Sequence, residues 1–249
     1  MCFLFQLHPL NAQNKTFKSK GYISIAGGPS LPVGNYGSYG AGYSSTFQKG
    51  YGVIGYFASA EAAIKLKNNF SLYLLGAFDS NNKNNPYFSS DFRNNNPNYN
   101  YSNYTYTITT NPNQLTSYFI GAAYTVPIKI LLVDFKLGLG VINSSNGSMQ
   151  SDVVNYYNSY TYSTSIVYSY NSIMQNKTQA AFNGGFNIRY NHTERIGFKF
   201  SVDYFQAFSD RSDVTITTYN YSIPNPAITQ KVKYSINIVN VGVGIVLNL

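Results

Sequence analysis

Residues 131–141 read LLVDFKLGLGV, and this stretch decides the fold. Leu131, Val133, Phe135, Leu137, Leu139 and Val141 share one parity, while Leu132, Asp134, Lys136, Gly138 and Gly140 share the other. Successive side chains of a strand point to opposite faces, so period two means a strand with one wholly apolar face. The other face carries one acid and one base two residues apart, set among glycines. A soluble sheet turns its grease inward and covers its outside with many charges of both signs. Here the charges are sparse and opposite, as suits ions that pair in an enclosed space while the apolar face looks outward.

The same polarity recurs along the chain. In residues 21–31, Ile23, Ile25 and Leu31 oppose Tyr22, Ser24, Ala26 and Ser30. In 51–66, Ile54, Tyr56, Ala58, Ala60, Ala62, Ile64 and Leu66 share a face opposite Glu61 and Lys65. Residues 58–67 (ASAEAAIKLK) are rich in helix formers, but their strict alternation favours a strand. Phe70, Leu72, Leu74 and Phe78 alternate in 70–78, and Tyr118, Ile120, Ala122, Tyr124 and Val126 in 115–126. Phe182, Phe186, Ile188 and Tyr190 oppose Gln179, Asn183, Asn187 and Arg189. Ile196, Phe198, Phe200, Val202, Tyr204 and Phe208 oppose Lys199, Ser201 and Asp203. The last segment, 232–249, places Val239, Val241, Val243, Ile245, Leu247 and Leu249 opposite Asn240, Gly242, Gly244 and Asn248. Its earlier apolar residues, Tyr234, Ile236 and Ile238, are out of phase, which predicts a β-bulge near 238–239.

Eight alternating segments predict an all-β chain: an eight-stranded antiparallel up-and-down transmembrane β-barrel with long extracellular loops. Glu61, Lys65, Asp134, Lys136, Arg189, Lys199 and Asp203 all take the inward parity. They are three acids and four bases, and are expected to form an ion-pair network in the lumen, where an unpaired charge is costly. Phe57, Tyr73, Phe119 and Phe205 also read inward, and eight strands leave room for little more than side chains. An open aqueous pore is not expected. Outward Tyr56, Tyr118, Tyr124, Tyr190 and Tyr204 are candidates for the interfacial aromatic girdles, in a chain without Trp.

Composition agrees. Only 10% of the 249 residues are charged, against roughly 25% in soluble domains. Aromatics reach 17%, as 25 Tyr and 17 Phe, and hydrophobic residues 44%. The missing charge is replaced by Asn, Ser, Thr and Tyr. The net charge of +8 comes from cations scattered singly. That argues against nucleic acid, which requires clustered Lys and Arg, and suits outer-membrane lipid and anionic lipopolysaccharide as partners. The single cysteine, Cys2, excludes an internal disulfide framework. No apolar run reaches 18 residues, so no transmembrane helix is expected. Residues 1–13 (MCFLFQLHPLNAQ) read as a signal peptide truncated at its start, cut after Ala12 or Gln13, and residues 14–249 as the barrel domain.

Connections alternate in length. Those at 67–69, 127–130 and 191–194 are short; those at 32–50, 79–114, 143–178 and 209–231 are long and polar. In bacterial barrels short turns are periplasmic and long loops extracellular, which puts both termini in the periplasm. The loops include NNNPNYNYSNYTY (94–106) and YYNSYTYSTSIVYSY (156–170). Residues 104–109 and 161–168 alternate, and are expected to extend the hairpins beyond the membrane. Tyr with Ser and Asn also suits adaptable recognition surfaces.

Catalytic equipment is missing from this reading. His8 falls in the signal and His192 in a short turn, so no histidine is placed for a hydrolase triad. Asp203, Asp210 and Asp213 lie near one strand end without metal-loop spacing, and read as a solvated loop cluster rather than a site. Glycines on the inner parity relieve crowding rather than cradle phosphate. No enzyme activity and no cofactor are expected. The expected role is structural or surface-interacting, with loops 79–114 and 143–178 contacting a protein partner. The alternatives are a barrel subunit of an envelope secretion or gliding complex, or a narrow channel for small solutes.

The start ending in NAQ (11–13), the first strand GYISIAGGPSLPVG (21–34), the Asn/Tyr-rich loops and the last strand VNVGVGIVLNL (239–249) resemble the small outer-membrane β-barrel proteins of Bacteroidota. These are grouped as OmpA-like transmembrane or PorT-like barrel domains. The chain ends on Leu249 where that family usually carries an aromatic. The resemblance implies location in the bacterial outer membrane and insertion by the barrel-assembly machinery. It implies no single function.

Overall fold

The computed structural model describes residues 19–37, 52–67, 69–82, 104–145, 148–155, 165–174, 177–208, 211–220, 223–224, 228–233 and 236–249. Eight strands form a closed antiparallel barrel: β1 (Gly21–Pro32), β2 (Gly55–Lys65), β3 (Phe70–Asn81), β5 (Asn113–Ile128), β6 (Leu131–Ser145), β9 (Lys177–Asn191), β10 (Ile196–Ala207) and β14 (Asn237–Asn248). Each pairs with the barrel strands before and after it in sequence, and β14 closes on β1. This is an up-and-down meander. Residues 58–65 belong to β2, so alternation prevailed over helix propensity there.

The registers fix the stagger. A line drawn across the strands from Gly21 runs through Ile64, Leu72, Ala122, Leu137, Gly184, Tyr204 and Val239, and returns to β1 at Leu31, ten residues on. With eight strands and ordinary strand spacings, that shear tilts the strands by roughly 40° to the barrel axis. The tilted wall encloses only side chains. Tyr22, Phe57, Tyr73, Phe119 and Phe205 are all buried within it.

Local sequence explains the turns at one end. Strands β5 and β6 are joined by two residues, and Lys129 takes a φ of 53°. A two-residue hairpin that follows the strand twist requires such a left-handed position. In the turn between β9 and β10, Thr193 Oγ1 accepts a hydrogen bond from the Ile196 amide at 2.9 Å. At the opposite end, β1 runs into a four-residue helical turn, α1 (Gly34–Gly37), which buries Tyr36.

A second antiparallel sheet stands at this loop end. It consists of β4 (Tyr104–Thr110), β7 (Ser148–Asn155), β8 (Ser165–Met174), β11 (Arg211–Asn220), β12 (Ile223–Pro224) and β13 (Ile228–Lys233). Its ladders β4–β7, β7–β8, β8–β11 and β11–β13 repeat the neighbour order of β5, β6, β9, β10 and β14. The neighbour order of five barrel strands thus recurs, among the described residues, in the strands of the second sheet that precede or follow them in sequence. The expected hairpin extensions are present at β4 and in the described part of 161–168. Between β4 and β5 lies Pro112, whose missing N–H interrupts any ladder. The signal at 1–13 and much of the long loops lie outside the described residues.

The bulge expected near 238–239 is absent. Pairing of β14 with β10 runs in register from Gln206–Asn237 to Ile196–Leu247. Ile236 and Ile238 point inward and are buried, so the strand keeps its phase and only the chemistry of its inner face changes. Toward the loop end the interior mixes apolar with polar side chains, Leu115, Ile142 and Ile238 being at 1% exposure or less beside buried Asp79, Asn113 and Asn240.

Inner glycines make room for large inner rings. A Cβ at Gly138 would lie 2.4 Å from the Tyr73 hydroxyl, whereas one at outward Gly76 would approach nothing closer than 3.7 Å. Gly138→Ala is therefore expected to lower the urea midpoint of the barrel in detergent micelles, read by its heat-sensitive gel mobility, by about 1–3 kcal/mol of overpacking. Gly76→Ala should leave that midpoint within about 0.5 kcal/mol. Equal tolerance of both would contradict the packing described here.

The barrel interior as candidate functional site

Inner positions of four strands, β2, β6, β9 and β10, bring ions together in the turn-side half of the lumen. Glu61 on β2 is the hub. Its Oε2 lies 2.8 Å from Lys136 Nζ and 3.3 Å from Lys199 Nζ. Its Oε1 accepts hydrogen bonds from Tyr22 and, at 3.1 Å, from Asn187 Nδ2. Lys136 Nζ also lies 2.8 Å from Asp203 Oδ1, so one ammonium joins two carboxylates. Lys199 Nζ donates to Ser24 Oγ at 2.8 Å. Tyr73 Oη donates to Asn183 Oδ1 at 2.7 Å.

Nearer the turns, Arg189 clamps Asp134 through two bonds, Nε to Oδ2 at 2.6 Å and Nη2 to Oδ1 at 2.9 Å. Thr125 Oγ1 adds a donor to Asp134 at 2.7 Å, and the guanidinium stacks 4.1 Å over the Tyr22 ring. A planar, bidentate pair with an aromatic face beneath it is the geometry that arginine supplies and lysine does not.

Six of the seven expected lumen charges, Glu61, Asp134, Lys136, Arg189, Lys199 and Asp203, are buried. Lys65 is a correction: it has the inward parity but ends β2 at the turn-side rim, where it is exposed and outside the described ion pairs. Parity fixes the face of a strand but not the height along the barrel. Asp203 is likewise an interior group bound to Lys136, not part of a solvated loop cluster. Asp210 lies outside the described residues, as does the Asp213 side chain.

Asp79 was missed. Read as the first residue of a loop, it is the tenth residue of β3 and fully buried. The inward series Tyr73, Leu75, Ala77, Asp79, Asn81 carries the signal, had the strand not been cut at Phe78. It accepts hydrogen bonds from Asn240 Nδ2 at 2.7 Å and Ser30 Oγ at 3.0 Å.

The outside is the reverse of the inside. Ile25, Leu74 and Leu137 adjoin Ser24, Tyr73 and Lys136 in sequence, yet point outward with exposures of 62%, 58% and 63%. Tyr56, Tyr118 and Tyr204 lie toward the loop end of this belt, and Tyr124 and Tyr190 toward the turn end. Six residues of β5 separate Tyr118 from Tyr124, roughly 15 Å of height at the barrel's tilt. His192 is exposed in its turn, its ring between Tyr190 and Phe198. Among the described residues no group of three His, Cys, Asp or Glu is placed to hold a metal ion.

Because Lys136 serves two carboxylates, Lys136→Met leaves Asp203 without its cation and Glu61 with Lys199 alone, in a low dielectric. It is expected to destabilise the barrel by about 3–5 kcal/mol. Lys65→Gln should change stability by less than about 0.5 kcal/mol. Urea titration of the purified variants in micelles compares the two, and a costly Lys65→Gln would refute the rim placement.

No family model and no curated protein sequence matches the chain. Among solved structures, the chain is similar to a major outer membrane protein of Thermus thermophilus, at 10% identity and a TM-score of 0.42, with 92% of this chain and 98% of that one covered. It is similar to Neisserial surface protein A (NspA), at 12% identity and a TM-score of 0.41, covering 93% and 98%. It is also similar to Ail, the attachment invasion locus protein of Yersinia pestis, at 10% identity and a TM-score of 0.38, covering 91% and 99%. Overlaps this loose fix neither a family nor a function for the chain.

Proposed function

We propose that this chain is a bacterial outer-membrane protein whose barrel is an anchor with a side-chain-filled lumen, and whose loop-side sheet is a surface for interaction with another molecule. The inverted polarity of the wall carries the membrane half of this reading. Paired ions and tyrosines are inside, and a continuous apolar belt is outside. Such a belt would aggregate in water, whereas in lipid a closed barrel satisfies every backbone group and leaves no edge. The second sheet supports the surface half, since it sets Tyr-, Ser- and Asn-rich sequence on paired strands.

In this reading the short turns and both termini are periplasmic and the second sheet is extracellular. Outer-membrane lipid and lipopolysaccharide surround the belt, the barrel-assembly machinery inserts the chain, and a protein partner meets the loops. The chain uses no cofactor, binds no nucleic acid and performs no catalysis. The resemblance to small Bacteroidota barrels adds the reading that it belongs with the OmpA-like or PorT-like domains. A barrel subunit of a secretion or gliding complex is the second reading, favoured by the same second sheet.

Two measurements test the proposal. The purified protein should migrate faster on gels before heating than after, and should give no reproducible single-channel steps in planar bilayers. Regular conductance steps would overturn the filled lumen. An epitope placed within residues 156–164 should be labelled on intact cells, and one in the 192–195 turn only after permeabilisation. The reverse pattern would invert the orientation.

A further inference from the structure

The described interior holds four buried carboxylates, Glu61, Asp79, Asp134 and Asp203, but three buried cations, Lys136, Arg189 and Lys199. Glu61, Asp134 and Asp203 each have a cation against them. Asp79 has no such cation among the described residues. Its Oδ1 receives both of its hydrogen bonds, from Asn240 and Ser30, and its buried Oδ2 has no donor. Among the described residues the interior is thus short of one positive charge, and the shortfall lies at the loop-side end.

The polar groups around Asp79 are incompletely partnered too. Asn240, fully buried, uses its amide nitrogen on Asp79 and leaves its own Oδ1 unpartnered. Across the β3–β5 ladder Asp79 stands opposite Leu115, with Ser117 and Asn113 one inward position to either side. Ser117 Oγ and both side-chain atoms of Asn113, Oδ1 and Nδ2, are buried and unpartnered as well. The other inner neighbours, Phe57 on β2 and Ser30 on β1, carry no charge, and Asp203 from β10 adds a further negative one.

A water molecule would satisfy lone pairs without restoring neutrality. A proton would restore neutrality but bridge only two oxygens. A dehydrated alkali cation does both, since carboxylate, amide and hydroxyl oxygens together replace its hydration shell. We infer that the loop-side end of the barrel binds one monovalent cation, sodium or potassium, at Asp79 Oδ2 and Asn240 Oδ1, with Ser30, Ser117 and Asn113 supplying the further oxygens. The site is independent of whatever the second sheet binds, and of the orientation of the barrel in its membrane.

The experiment uses the whole protein in zwitterionic detergent micelles at neutral pH. Sodium NMR linewidth should broaden with wild-type protein and narrow on adding potassium, and Asp79→Asn, which keeps the shape and removes the charge, should abolish the broadening. The apparent unfolding midpoint of the wild type should rise by about 2–4 °C when sodium or potassium chloride replaces choline chloride. Asn240→Leu should abolish that rise. Failure of Asp79→Asn to fold leaves the wild-type linewidth and its competition as the deciding measurement. The inference is overturned if the wild type broadens no sodium signal. It is also overturned if calcium alone shifts the midpoint, or if the midpoint ignores the cation and follows pH, in which case the carboxyl holds a proton.

Discussion

One ammonium group, Lys136 Nζ, lies 2.8 Å from Glu61 on one side and 2.8 Å from Asp203 on the other. It ties β6 to β2 and β10 through the middle of the barrel, at a distance from its partners along the chain of 75 residues for Glu61. Glu61 in turn holds Lys199, 138 residues away. None of these partners is a sequence neighbour, and the pairs of Glu61 with Lys136 and Lys199 form only when strands from both halves of the chain face one lumen. Before closure each charge is a costly inward group without a partner. After closure the group is in a low-dielectric space where a misplaced neighbour is heavily penalised. The network therefore makes closure all-or-none, and it selects one stagger out of several that the apolar belt alone would tolerate.

The rest of the barrel is built to keep that space small. A stagger of ten with eight strands leaves room for side chains and little else, and the inner face alternates large rings with glycines so that they interlock. Tyr73 occupies the room that Gly138 leaves, and the Phe57 ring stands where a Cβ on Gly242 would be, 2.5 Å away. Toward the loops Phe119 and Phe205 stack at 4.9 Å, and Leu115, Ile142 and Ile238 join the filling. Ion pairs and rings act together here: the rings exclude water, which strengthens each pair, and the pairs fix the strands that present the rings.

Much of this was legible because alternation needs no context. Residues 131–141 announce both faces of a strand, and the same polarity in seven other segments gives the count. What alternation does not carry is height. Lys65 shares the parity of Glu61 but reaches only the rim, and nothing in the sequence distinguishes the two. Asp79 was hidden because an acid followed by Ser and two Asn looks like a turn, although its parity matches Tyr73. Ile236 and Ile238 misled for the converse reason, since apolar was equated with outward where the interior itself holds apolar side chains. The second sheet had no faces to read. Its Tyr, Ser, Thr and Asn carry neither belt nor lumen chemistry, so its strands are foreseeable from alternation but their partners are not.

The division between a barrel crossed by ion pairs and a second sheet that repeats its strand order bears on what such a molecule is for. A passage needs groups that hold a solute weakly and a path that stays open. This interior is crossed by short charge-assisted bonds from Lys136, Lys199 and Arg189 that no solute passes without breaking. An anchor needs the opposite: a plug that resists tilting and fixes the height of what stands on it. Five barrel strands, β5, β6, β9, β10 and β14, have their counterparts in β4, β7, β8, β11 and β13. The ladder order set in the barrel is thus the order that recurs in the second sheet.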